Sequence, residues 1–106
     1  MEETMEEVDV ADEYSKDRHV YRDITVNTEN GLHLRPAAQV VELAESYDGR
    51  AEVQMYDPKD NKYQDIDLLA LMELAATKGS KIKFRARGTD AEEALDRIAE
   101  TLDGRL

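Results

Sequence analysis

Hydrophobic and polar positions along this 106-residue chain repeat in two rhythms, and the switches between them outline its elements. Over 20–26 the period is two: Val20, Ile24 and Val26 share one side, with Tyr21, Asp23 and Thr25 opposite, as in a half-buried strand. Over 36–47 the period is helical, with Ala37, Val40, Val41 and Ala44 in one stripe and Gln39, Glu42 and Glu45 outside it. Asp48-Gly49 supplies the stop. Residues 51–56 alternate again, Val53 and Met55 inward and Glu52 and Gln54 outward. A turn by composition follows over 57–62, and a weaker strand over 63–66 completes a hairpin. Asp67 is placed to cap a short helix reaching about residue 76, and Gly79 closes the next turn. Over 81–87, Ile82, Phe84 and Ala86 point inward and Lys83, Arg85 and Arg87 outward. Thr89-Asp90-Ala91-Glu92 has the form of a capping box. Ala91, Ala94, Leu95, Ile98 and Leu102 then repeat on one helix face that Gly104 ends.

The order is β-α-β-β-α-β-α, and each element has a single apolar side. The economical packing is an α+β open-faced sandwich: one four-stranded antiparallel sheet with three helices on one face. The length suits one domain. With no cysteine there is no disulfide framework and no thiolate chemistry, and neither a metal nor a cofactor is expected. No apolar run approaches a membrane span, so no membrane insertion is expected. The acidic start is the opposite of a signal peptide's basic region, which points to the cytoplasm.

The net charge of −11 is unevenly spread. Glu2, Glu3, Glu6, Glu7, Asp9, Asp12, Glu13 and Asp17 face only Lys16, so the first seventeen residues hold seven of those eleven charges. Met5, Val8 and Val10 are too few for a packed face, so residues 1–18 are expected to form a disordered acidic tail before the domain at 19–106. The alternative is an acidic arm that docks a basic partner or shields the functional site. Strong acidity argues against nucleic acid as a partner.

The candidate chemistry lies in Asn30-Gly31-Leu32-His33-Leu34-Arg35-Pro36-Ala37-Ala38, where strand gives way to helix. Pro36 suits the first helical position, and Arg35, preceding it, is steered toward the cap. The backbone N–H groups of Ala37 and Ala38 are then expected among the free first-turn donors, at the positive end of the helix dipole. His33 stands just before this anion site, and Arg35 adds a forked, permanently charged clamp. An imidazole with an ordinary pKa near ~6.5 is mostly neutral, and so nucleophilic, at neutral pH. His33 is thus a candidate phosphoryl acceptor. His19 has no partner at ligand spacing and is a bystander. Glu92 and Glu93 suit a helix's first turn better than catalysis.

The run Gly31, Leu32, His33, Arg35, Pro36 and Ala37 resembles the active-site signature of the HPr family, the histidine-containing phosphocarriers of the bacterial phosphoenolpyruvate-dependent phosphotransferase system. The resemblance extends over 20–102. A second block, Leu68-Leu69-Ala70-Leu71-Met72-Glu73-Leu74-Ala75-Ala76 leading to Gly79, is similar to the family's short second helix. The resemblance implies the same open-faced sandwich and a phosphoryl group received on Nδ1 of His33 from phosphorylated enzyme I. It implies transfer onward to a downstream acceptor, either IIA-type or a regulator, by a stoichiometric and monomeric carrier. Leu34, Leu68, Leu69 and Met72 are the expected partner-docking residues, an exposed apolar patch with a flexible methionine.

Three departures from the family stand out. Leu34 stands where threonine or another small polar residue is common. Glu42 and Glu45 replace lysines that meet acidic partners in sugar-system members, and like charges across an interface repel. Asp67 falls at the regulatory position where many members carry a phosphorylatable serine. It either imitates the phosphoserine or simply caps the helix. Two further readings remain open beside the carrier: a regulatory paralogue acting by protein binding, and a small-molecule-sensing module.

Overall fold

The computed structural model describes residues 18–27, 34–74 and 79–103. Residues 1–17 of the acidic tail, His33 and the run leading to it, the end of the second helix at 75–76 and the Gly104 stop all lie outside the described residues.

Strand β4 (Lys81–Arg87) holds a central place in the sheet because its alternation is complete. Ile82, Phe84 and Ala86 are buried, Phe84 and Ala86 wholly so, while the residues between them face away. Strand β1 (Val20–Thr25) pairs along one side, Val20 opposite Ala86 and Thr25 opposite Lys81. Strand β2 (Glu52–Asp57) pairs along the other, setting Val53 against Ala86 and Met55 against Phe84. A hairpin through Asn61, whose φ of +55° asparagine tolerates, returns the chain as β3 (Lys62–Asp65). The antiparallel order is β1-β4-β2-β3.

Three helices cover the inward face, giving the expected open-faced sandwich: α1 (Leu34–Ser46), α2 (Leu68–Leu74) and α3 (Ala91–Leu102). Helix α3 lies on β1, β4 and β2, and α1 packs between α3 and α2. The predicted α3 face is the observed one, with Ala91, Ala94, Leu95, Ile98 and Leu102 all buried. Among the described residues, no helix is long and apolar enough to cross a membrane.

Helix α1 differs from expectation in two ways. It begins at Leu34, two residues before Pro36. A proline in the first turn gives up an N–H that has no intrahelical partner anyway, so the helix extends past it. Its buried stripe also runs on to Tyr47: Ala37 and Val40 are fully buried, Val41 and Ala44 only partly, and Tyr47 is buried. The Tyr47 hydroxyl donates to the Glu93 carboxylate at 2.8 Å, and burial together with this bond raises its pKa.

The expected capping box at the start of α3 is absent. Asp90 is the N-cap residue and makes no side-chain cap bond. Its carboxylate instead pairs with Arg50 at 2.9 Å, and the Thr89 hydroxyl reaches the Arg50 carbonyl oxygen at 3.4 Å. The second guanidinium nitrogen of Arg50 donates to the Ser46 carbonyl at 2.9 Å while the group stacks on Tyr47, 4.7 Å from the ring centre. A charged partner outcompeted the local cap. Gly88, at φ +122°, makes this junction possible: a Cβ there would strike the Arg50 carbonyl and Ala51 Cα. Arg22, in phase with the buried side of β1, closes the other edge through Asp96 at 2.7 Å and Glu92 at 3.5 Å.

Phe84→Ala is expected to lower unfolding free energy by about 3–5 kcal/mol, since Phe84 is fully buried in a central strand. Urea or guanidinium unfolding of the purified variant measures it.

Candidate functional site

The N-terminal turn of α1 follows His33 directly in the chain. The helix starts at Leu34, so the expected donors Ala37 and Ala38 stand at its fourth and fifth positions. Ala38 is already one turn in, where its N–H has the Leu34 carbonyl four residues back as its regular partner. Ala37 is wholly buried and belongs to the core stripe. The amides left at the mouth of the helix are those of Leu34 and Arg35, and Pro36 has none to offer. No acidic residue occupies this first turn, where one would offset the positive end of the helix dipole. The Arg35 side chain is exposed and enters no ion pair among the described residues. Leu34 is 60% exposed.

Helix α2 supplies the second part of the candidate surface. Asp67 caps it, its Oδ2 accepting the Ala70 N–H at 2.9 Å, and the Leu71 N–H donates to the Asp67 carbonyl at 2.8 Å. One residue anchors the helix completely: Leu71 is inaccessible to solvent. Leu68 and Met72 are half-buried and pack against the core, whereas Leu69, at 72% exposure, points outward. The four residues expected to dock partners therefore divide. Leu34 and Leu69 are free for contact, and Leu68 and Met72 serve the core as well. On the outer side of α1, Glu42 and Glu45 are exposed.

A cleft of about 640 Å³ lies elsewhere. It is lined by Ala44, Glu45 and Asp48 at the far end of α1, by Ile66, and by the ion-paired Glu52 and Arg87. Leu34 and Glu45 are separated by about 16 Å of helix rise. The N-terminal end of α1, where Leu34 and Arg35 are exposed, lies apart from this cleft. His19 sits apart, beside Tyr21; burial first, and then Arg85 and Arg87, lower its pKa. Among the described residues, no group of three or more His, Cys, Asp or Glu side chains could hold a metal.

Sequence reading missed Arg50 and Arg22, which hold the frame of the site. Arg22 was legible in principle, being a charge in phase with Val20, Ile24 and Val26. Arg50 was not, because its partners come from a distant turn.

The fold defines an open-faced sandwich, an antiparallel sheet with helices on one face, and in the sequence a histidine stands directly before its arginine-bearing first helix. The family described as "PTS HPr component phosphorylation site" matches residues 20–103. The chain belongs to the HPr family, the phosphocarriers of the phosphotransferase system. The phosphocarrier protein HPr of Haloferax volcanii is 35% identical over 81 residues, 76% of this chain and 90% of that protein. The crystal structure of a phosphocarrier protein HPr from Bacillus anthracis superimposes with a TM-score of 0.66 at 32% identity, covering 81% of this chain and 99% of that one. The multiphosphoryl transfer protein of Haemophilus influenzae is 30% identical over 81 residues, and there the chain spans only 16% of the relative's length.

The cap makes a direct prediction. Asp67→Ala should cost about 1 kcal/mol, and Asp67→Ser should be nearly neutral, because serine caps about as well as aspartate. Thermal unfolding of both variants reports the difference.

Proposed function

We propose that this protein accepts a phosphoryl group on His33 from phosphorylated enzyme I, with phosphoenolpyruvate as the ultimate donor, and passes it to a downstream acceptor in the cytoplasm. What supports this reading is the family match over residues 20–103 together with His33 preceding α1 in the sequence, with Arg35 exposed and no acid in the helix's first turn. The lone pair of the unprotonated His33 ring nitrogen forms the new P–N bond as the donor's P–N bond breaks. The donor imidazole regains a proton, and His33 releases one from its other nitrogen. Little else is required, since phosphoryl transfer depends mainly on positioning and charge stabilisation. The backbone amides of Leu34 and Arg35 at the helix mouth, with Ala37 behind them, and the Arg35 guanidinium supply that stabilisation.

Leu34 and Leu69 serve as the apolar contacts for partners, each more than half exposed on helices that pack together. The exposed Glu42 and Glu45 favour an acceptor with a basic docking surface over one that selects lysines. Asp67 needs no regulatory role to explain its presence, because its cap bond accounts for it.

Incubation with labelled phosphoenolpyruvate and enzyme I should label His33 with an acid-labile, base-stable phosphoryl group. His33→Ala should abolish the label; undiminished labelling, or label on His19, would sink the assignment. Arg35→Gln should slow transfer by up to ~10²-fold without loss of structure. Stopped-flow or quench kinetics measure it, and an unchanged rate would return Arg35 to the solvated surface.

Leu69→Glu should weaken association with enzyme I while leaving thermal stability nearly unchanged, since Leu69 contributes little to the core. Titration calorimetry beside a melting curve separates the two effects.

A further inference from the structure

The face of the sheet turned away from the helices has chemistry that phosphoryl transfer does not use. Lys81, Lys83, Arg85 and Arg87 project from it in one row along β4, because the residues between them are buried. Arg87 is neutralised by Glu52 at 2.7 Å. Lys81, Lys83 and Arg85 have no carboxylate at ion-pair distance among the described residues. Arg85 bonds only the neutral Gln54, at 2.8 Å, and stacks 4.4 Å from the Tyr63 ring centre.

A strip of aromatic rings crosses the same face. Tyr21 from one edge strand and Tyr63 from the other meet with centroids 5.9 Å apart, and Tyr63 continues to Tyr56 at 5.3 Å. Lys83 lies 5.8 Å from the Tyr56 ring centre. Tyr21 is 59% exposed, so the strip is left open to solvent on its β1 side. Cations and aromatic rings together make a surface suited to an anionic chain with some apolar side chains.

The sequence contains such a chain. Residues 1–17 carry a net charge of −7, interspersed with Met5, Val8, Val10 and Tyr14. They lead into the domain at Arg18 and His19, immediately before Val20, which is opposite Ala86 and so beside Arg85 and Arg87. The lowering of the His19 pKa by these two arginines reflects the positive potential at that corner, although burial is the larger cause. Seventeen residues can reach about 56–60 Å when extended. Four strands about 4.8 Å apart span roughly 14 Å, and the longest, β4, runs about 23 Å, so both dimensions are shorter than that reach. An external polyanion would have to approach a molecule of net charge −11, whereas a tethered segment is already present at roughly millimolar effective concentration.

We propose that the open sheet face is the docking surface for the chain's own acidic N-terminal segment, residues 1–17, which lies across the cation row of β4 and the tyrosine strip. Docked there, the segment is on the opposite side of the sheet from α1 and α2, and the surface around Leu34 and Leu69 stays free. It also covers the chain's densest row of unpaired cations, leaving a more uniformly acidic exterior.

The full-length chain has no cysteine, so Met5→Cys provides a single site for a nitroxide label. In low salt, amide resonances of Tyr21, Lys83 and Arg85 should broaden several-fold more than those of α1 and α3, relative to the reduced label. The effect should fade at ~1 M salt, where the screening length is about 3 Å. It should also fade in a Lys81→Gln, Lys83→Gln, Arg85→Gln variant that keeps its sheet resonances; if that variant does not fold, the salt titration decides alone. Equal broadening on both faces, or none, would overturn the proposal, as would broadening centred on Leu34 and Arg35. Broadening of isotope-labelled chains by separate spin-labelled ones would overturn it too, in favour of a second copy.

Discussion

Burial of one side of β4 is the constraint on which the rest of this molecule depends. Ile82, Phe84 and Ala86 must face the helices, and the period of two leaves Lys81, Lys83, Arg85 and Arg87 no choice but the other side. Both neighbours take their register from this strand: Val20 and Val53 flank Ala86, and Met55 flanks Phe84. The layer of helices then closes over a core to which α3 contributes a complete face. A one-residue slip would bury four cations and expose Phe84. Few single interactions in so small a domain are enforced as strongly.

The second constraint is geometric. At Gly88 the turn leading into α3 touches the turn leaving α1, with no space for even one extra carbon. Arg50 reinforces that contact with an ion pair, a carbonyl bond and a stacked ring. Exposed pairs are individually weak. Their value here is directional, since they fix the axis of α1 relative to α3 and with it the orientation of the α1 N-terminus. The site's geometry is set at the end of the helix remote from its chemistry.

Most of this architecture was legible in the sequence because strong periodicity and local turn chemistry agree over long stretches. The 81–87 strand and the α3 face needed no tertiary information, and Asp67 read as a cap is a cap. The failures were of one kind. Thr89-Asp90-Ala91-Glu92 has the local grammar of a capping box, but Arg50, thirty-nine and forty residues away, claims Thr89 and Asp90 for itself. Arg35 before a proline has a local bias against helix, yet α1 includes it. The stripe of α1 was read too early along the helix because Tyr47, an amphipathic ring, looks like a boundary residue until Glu93 takes its hydroxyl. Wherever a polar group had both a local and a distant option, sequence pattern alone chose the local one.

Helix α2 has only two turns, and helices shorter than ~12–15 residues are marginal by themselves in water. It persists through one cap, one fully buried leucine and the half-buried Leu68, Met72 and Leu74, a narrow foundation for an element whose outer side is the exposed Leu69. Segments held this lightly open locally at lower cost than the sheet beneath them. A protein that covers Leu69 therefore does more than occupy a surface. It also withdraws α2 from its own opening equilibrium, so association and the ordering of this helix are a single thermodynamic event. The affinity of such contacts can then be tuned from within the domain, by the strength of the Asp67 cap or the fit of Leu71, without altering any residue that the visitor touches.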